Sequence, residues 1–249
     1  MVKRIRLGIL TPSSNTSLEP LTQSIISQLP NVSVHFSRFT VLKISLEDDA
    51  LAQFQNEKII EAAKLLADAH VDMIGWSGTS SGWLGFAADE QLCEQITAAT
   101  GIPSTTSVLA LNHALQVLGE KELGLVTPYK DDVQEAIIKN YATIGIDCSK
   151  ERHLGLFTNR HFADVTESTL DDMVAAVAAK EVKVISTFCT NLYAAQRGAI
   201  WEEKYGIILL DTVVTVVWEM LRLCGVDSSQ IKGWGRLFAV PLKTEKSVL

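Results

Sequence analysis

The chain carries one six-residue pattern twice, as Leu7-Gly8-Ile9-Leu10-Thr11-Pro12 and as Leu123-Gly124-Leu125-Val126-Thr127-Pro128. Each is a short apolar run closed by threonine and proline, the signature of a buried strand that ends in a turn. A second pair follows in the same order. His70-Val71-Asp72-Met73-Ile74-Gly75-Trp76-Ser77-Gly78-Thr79-Ser80 resembles Glu181-Val182-Lys183-Val184-Ile185-Ser186-Thr187-Phe188-Cys189-Thr190-Asn191. The two offsets are about 116 and about 111 residues, near-constant as a duplication requires. The chain thus divides near residues 115–120 into a first half, 1–117, and a second, 118–215, with 216–249 returning to the first.

Around these repeats, short apolar runs alternate with amphipathic stretches, which predicts βα units and a mainly parallel sheet in each half. Strands are expected at Arg4–Leu10, Val32–Phe39, Met73–Trp76, Leu123–Thr127, Leu154–Phe157, Val182–Phe188 and Ile207–Leu209. Apolar residues at i, i+3 and i+4 predict helices over Asp49–Ala69, Asp131–Ile144, Asp164–Ala179 and Asp211–Cys224, several opening on an aspartate suited to an N-cap. The fold class is α/β: two pseudo-symmetric Rossmann-like (flavodoxin-like) halves with parallel sheets and an active-site cleft between them. In such sheets ligands bind at the carboxyl ends of the strands. A pseudo-two-fold axis would bring four loops to one cleft: Pro12–Thr16, Gly78–Gly82, Pro128–Tyr129 and Cys189–Asn191.

Composition narrows the chemistry. The 249 residues are 47% hydrophobic and 20% charged, which excludes wholesale disorder. No apolar run approaches the roughly 18 residues that span a bilayer, and the N-terminus shows no cleavage-site pattern, so a cytoplasmic protein is expected. A net charge of −7 without a basic run argues against nucleic acid. Cys93, Cys148, Cys189 and Cys224 show no CxxC and no zinc spacing, so no metal is expected. Neither a Walker lysine nor a GxGxxG is present, so no nucleotide cofactor is expected.

Cys189 stands out among the thiols. It follows an apolar strand and precedes a helix-like stretch, Leu192-Tyr193-Ala194-Ala195-Gln196, so a helix dipole would lower its pKa below the ordinary ~8.5. Gly78-Thr79-Ser80-Ser81-Gly82 offers main-chain N–H groups and hydroxyls suited to a carboxylate or an enediolate oxyanion. Ser13, Asn15 and Tyr129 add further donors. No HExxH motif competes with this set.

Taken together, Thr11-Pro12-Ser13-Ser14-Asn15-Thr16, Gly78-Thr79-Ser80, Thr127-Pro128-Tyr129, Asn159 and Cys189-Thr190-Asn191-Leu192 resemble the aspartate/glutamate racemase superfamily. The likeness is to the branch that holds maleate cis–trans isomerases and arylmalonate decarboxylases, and it runs over nearly the whole chain. Racemases and isomerases of this superfamily carry one cysteine in each half, whereas here the counterpart of Cys189 is Gly78. The resemblance implies a cofactor-independent decarboxylase of a substituted malonate-like dicarboxylate. Gly78, Thr79, Ser80 and Tyr129 would hold the enediolate and Cys189 would protonate it. Pro12, Ser13, Asn15, Ser81, Asn159, Thr190 and Asn191 are the expected substrate-binding residues. A maleate-type isomerase is the alternative, with a racemase or a non-catalytic anion-binding protein behind it. The expected partner is a small dicarboxylate, and a homo-oligomer is possible.

Overall fold

The computed structural model describes residues 3–42, 44, 46 and 56–240. In chain order the first half runs β1 (Ile5–Pro12), α1 (Leu18–Ile26), β2 (Val32–Phe39), α2 (Asn56–Asp68), β3 (Met73–Trp76), α3 (Ser81–Leu84), α4 (Phe86–Thr100), β4 (Ser104–Thr106) and α5 (Ser107–Leu118). The second half runs β5 (Gly124–Thr127), α6 (Asp131–Thr143), β6 (Glu151–His153), α7 (Glu167–Ala178), β7 (Val184–Thr187), α8 (Gly198–Tyr205), β8 (Ile208–Leu209) and α9 (Thr212–Leu223).

Two four-stranded sheets result, ordered β2-β1-β3-β4 and β6-β5-β7-β8, with every pairing parallel. Each repeated segment therefore supplies equivalent strands: β1 matches β5 and β3 matches β7. These four central strands are almost wholly buried, which is why they read as unbroken apolar runs and not as alternating ones. Helix α9 packs on α5, β3, β4 and α1, so the chain crosses back to the first sheet after β8. Arg236–Ala239 then packs against β8, and 241–249 lie outside the described residues.

Some expected elements change. The second strand of the second half is Glu151–His153, not Leu154–Phe157. Beyond His153, Gly155 takes φ +71° and turns the chain, and its N–H and that of Leu156 bond to the carbonyls of Tyr129 and Pro128. Asp211 caps α9, accepting from the N–H groups of Val213 and Val214, whereas α7 is capped by Thr166 and not by Asp164. The helix expected over Asp49–Ala69 is described only from Asn56, and 49–55 lie outside the described residues. Among the described residues no helix is long and apolar enough to cross a membrane.

The halves meet where α3 lies against α6. Asn140 donates from Nδ2 to the carbonyls of Ser81 and Gly82, at 3.0 and 3.1 Å. Gly82 makes this contact possible, because a Cβ there would sit 2.6 Å from Cζ of the buried Phe188 ring. Phe188 packs edge-on to Tyr141, and Tyr141 to Phe86. The loops at the carboxyl ends of both sheets are thereby drawn together.

Candidate active site

Between those loops lies a cavity of about 20 Å³, room for about one water molecule. From the second half come Tyr129, Asn159, Cys189 and Thr190. From the first come Gly78, Thr79 and Ser80 on one side, with Pro12, Val41, Ile44, Trp76 and Trp83 forming an apolar wall. Eight of the expected residues therefore share one space: Pro12, Gly78, Thr79, Ser80, Tyr129, Asn159, Cys189 and Thr190. The cavity is smaller than a diacid. The segment through Val41 spans both halves, for Ile44 N–H bonds to the Phe157 carbonyl at 2.9 Å and Asn159 N–H to that of Leu42 at 3.2 Å.

Cys189 is buried beyond β7, in a turn closed by Leu192 N–H on its own carbonyl at 3.1 Å. The helix expected at Leu192–Gln196 does not begin there. A short 3-10 turn covers Ala195–Arg197 and α8 starts at Gly198, so the helix dipole expected from that stretch is not there. Its partners are the Tyr129 hydroxyl and the main-chain N–H groups of Asn191 and Leu192. These pull its pKa down, yet burial outweighs them and the nearby Asp211 carboxylate adds to burial, so the thiol is pushed up to about 11. The expectation of a lowered pKa is corrected: this is a neutral S–H surrounded by groups that would welcome the thiolate. Burial also raises Cys93, Cys148 and Cys224, so the hydrogen-bond partners and not the direction of the shift distinguish Cys189.

Tyr129 links the two halves of the site. Its hydroxyl lies 2.8 Å from Thr79 Oγ1 and also engages Cys189. Its ring packs edge-on against Trp83 and Phe162, with centroids 5.4 and 5.7 Å away. Burial keeps the phenol far above its ordinary pKa, so it stays a donor.

Four expected substrate-binding residues, Ser13, Asn15, Ser81 and Asn191, do not line the cavity; their side chains bond to the protein itself. Asn15 Oδ1 accepts from the N–H groups of Ser17 and Leu18, and its amide donates to Thr190 Oγ1 at 3.2 Å. Asn191 Oδ1 accepts from Thr16 N–H at 2.9 Å while its amide donates to the Asn159 carbonyl at 2.6 Å. Ser13 Oγ accepts from Val41 N–H at 3.2 Å, and Ser81 Oγ donates to Asp89 at 2.7 Å. They brace the loops, since a buried polar group must find a partner and neighbouring main chain supplies it.

Three contributions went unread in the sequence. Val41 and Ile44 carry no motif. Asp89 holds both Ser81 and Thr106 behind the Gly78–Ser80 loop. Asp211, read only as a helix cap, also accepts from Thr187 Oγ1 at 2.5 Å, just below Cys189. Among the described residues no cluster of His, Cys, Asp or Glu could hold a metal ion.

Gly78 differs most from its counterpart. A Cβ at this position would lie 2.0 Å from Cζ2 and 2.3 Å from Cε2 of Trp76. The indole thus occupies the volume in which a side chain at 78, the partner of Cys189, would stand.

Two similar α/β halves, each presenting the ends of its central strands to a shared cavity, define an enzyme of the aspartate/glutamate racemase-like class, in the branch of arylmalonate decarboxylases and maleate isomerases. More narrowly, the chain belongs to the arylmalonate decarboxylase family, which it matches over residues 30–238. It is 29% identical to the arylmalonate decarboxylase of Bordetella bronchiseptica over 185 residues, 73% of this chain and 77% of that protein. It is 24% identical to a maleate isomerase of Pseudomonas putida over 239 residues, 91% of this chain and 94% of that one. Among solved structures, a maleate isomerase from Pseudomonas putida S16 with maleate superposes with a TM-score of 0.88 at 22% identity, covering 97% of this chain and all of the other.

Proposed function

We propose that this enzyme decarboxylates a substituted malonate-like dicarboxylate and that Cys189 is its single proton donor. The observation that carries the reading is the asymmetry at Gly78. One half offers the cavity a neutral thiol; the other offers an indole lying on a bare α-carbon. Proton exchange between opposite faces needs two acid–base groups, whereas decarboxylation needs one acid.

In the first step the C–C bond to one carboxylate breaks and carbon dioxide leaves. The electron pair passes into the remaining carboxylate, giving an enediolate. Thr79 and Tyr129 hydroxyls, with main-chain N–H groups of the Gly78–Ser80 loop, hold its oxygens in this reading, which their shared position on the cavity supports. One such donor in a water-poor site contributes about 3–4 kcal/mol. The leaving carboxylate, set against Val41 and Ile44, gives up hydration that neutral carbon dioxide does not need. In the second step the Cys189 S–H proton moves to the α-carbon. The thiolate left behind is held by Tyr129 and the N–H groups of Asn191 and Leu192 until water reprotonates it.

The test is to supply methylmalonate, phenylmalonate and maleate separately and to follow carbon dioxide and fumarate. Carbon dioxide from a malonate with no fumarate from maleate is expected. Fumarate without carbon dioxide would overturn the reading in favour of the isomerase; diacid binding with no turnover would leave an anion-binding protein. The pH profile adds a second check. The neutral thiol is the working form, so it is fully present below its pKa and lost as pH rises through about 11. The basic side of kcat should stay flat well past ~8.5, the pKa of an ordinary thiol. A fall centred near ~8.5 would contradict a buried, protonated donor.

A further inference from the structure

The two strand-end turns that face each other across the cavity are joined directly by the side chain of Thr190. Thr190 follows Cys189 in the chain, and Ser77 precedes Gly78. Thr190 Oγ1 donates to the Ser77 carbonyl at 3.3 Å and accepts from Asn15 Nδ2 at 3.2 Å. Both partners are themselves fixed. Asn15 Oδ1 accepts from the N–H groups of Ser17 and Leu18 at the start of α1, and Ser77 N–H bonds to the Leu10 carbonyl in β1 at 3.2 Å. Asn15, Ser77 and Thr190 are all buried, so water does not compete for these bonds. A threonine hydroxyl has one proton to donate. At Thr190 that proton goes to a main-chain carbonyl, which leaves none for a substrate carboxylate although the residue lines the cavity.

The geometry points to Thr190 as a positioning residue: by tying the Cys189 turn to Ser77 and Asn15 of the first half, its hydroxyl fixes the face of the enediolate on which the thiol lies. This rests on the decarboxylase reading and adds to it the group that makes proton delivery one-sided. The thiol comes from the second half and the Gly78–Ser80 loop from the first, so their relative placement depends on bonds that cross between the halves. Thr190 makes such a bond one residue from the thiol at one end and one residue from Gly78 at the other. The two residues after it, Asn191 and Leu192, carry the N–H groups that face the sulfur, so the same tie anchors the donors that hold the thiolate. Proton transfer to carbon tolerates little displacement: an error of about 1 Å costs on the order of 10²-fold in rate. Asn191 still accepts from Thr16 N–H when Thr190 lets go, so the turn stays in the fold while the thiol loses its exact place.

Thr190→Val removes the hydroxyl and keeps the branched shape, whereas Thr190→Ser keeps the hydroxyl; Thr190→Ala repeats the deletion should the valine variant fold poorly. Each is compared with the wild type on methylmalonate and phenylmalonate in D₂O. Calorimetry gives Kd for the diacid, and mass spectrometry of the Cys189 peptide follows its alkylation by iodoacetamide. Thr190→Val is expected to lose about 10–100-fold in kcat with Kd little changed. Its product should carry deuterium on both faces where the wild type labels one, and Cys189 should be alkylated several-fold faster. Thr190→Ser should restore kcat and one-sided labelling together. A folded Thr190→Val protein with wild-type kcat and one-sided labelling would overturn the assignment. So would a weakened Kd with unchanged kcat, which marks the hydroxyl as a substrate donor, or a Thr190→Ser protein as impaired as Thr190→Val. Each of these results leaves the decarboxylase reading standing. Wild-type turnover of neither malonate would defeat that reading instead, and Thr190 would then be judged on alkylation, where equal rates in Thr190→Val and the wild type overturn the assignment.

Discussion

Cys189→Ala is expected to lower kcat for malonate decarboxylation by about 10²–10⁴-fold, the range over which a positioned general acid acts. The site would still bind the diacid through Thr79, Ser80 and Tyr129, so KM should move little. Carbon dioxide could still depart, but the enediolate would then wait for a proton from water. Two consequences follow. In D₂O the residual product should carry deuterium without preference for either face, whereas the wild type, with one donor, should label one face. Cys189→Ser should resemble the alanine variant, because an alcohol is a far weaker acid than a thiol. The fold should survive, since losing one small buried sulfur atom costs on the order of 1 kcal/mol, a shift of roughly 2–4 °C in Tm for a chain of this size. Undiminished turnover in a folded Cys189→Ala protein would remove the thiol from the chemistry.

Tyr129→Phe should lower kcat by about 10²–10³-fold, the effect of deleting one oxyanion donor. The phenylalanine ring keeps the edge-on contacts with Trp83 and Phe162, so packing is preserved and the change is confined to one hydroxyl. That hydroxyl has two tasks in the structure, bonding to Thr79 Oγ1 and to Cys189. Its bond to Cys189 favours the thiolate, so its loss should push the thiol pKa further up and make proton transfer to carbon harder. The readout that separates this from a packing defect is alkylation: Cys189 in folded Tyr129→Phe should react with iodoacetamide more slowly than in the wild type. An equal or faster rate would show that the hydroxyl does not stabilise the thiolate.

Much of the fold was legible because the repeat is written in buried strands. Leu7–Pro12 and Leu123–Pro128 must bury both faces of β1 and β5, so their apolar runs are dense enough to recognise twice, and β3 and β7 likewise. The missed strands are those the core does not demand. Ser104–Thr106 and Glu151–His153 are short and polar, and they join their sheets through main-chain hydrogen bonds, to which every residue type but proline contributes alike. Leu154–Phe157 looked like a strand because it is apolar, but Gly155, at φ +71°, turns the chain there and its N–H bonds to the Tyr129 carbonyl.

By itself the sequence determined two duplicated α/β halves, the four loops that meet, and a cysteine facing a glycine across the repeat. Those are properties of local apolar pattern and of internal comparison, which need no coordinates. Tertiary structure alone decided which polar residues reach the cavity. Asn15, Asn191, Ser13 and Ser81 are bound to neighbouring backbone, to Thr190 or to Asp89, and only the packing of the loops shows this. It also decided the state of Cys189, because a pKa depends on burial and on partners distant in the chain: Tyr129 lies sixty residues before it. The space at Gly78 was the last such decision. A glycine in sequence marks an empty position, and only the fold shows that Trp76 has filled it.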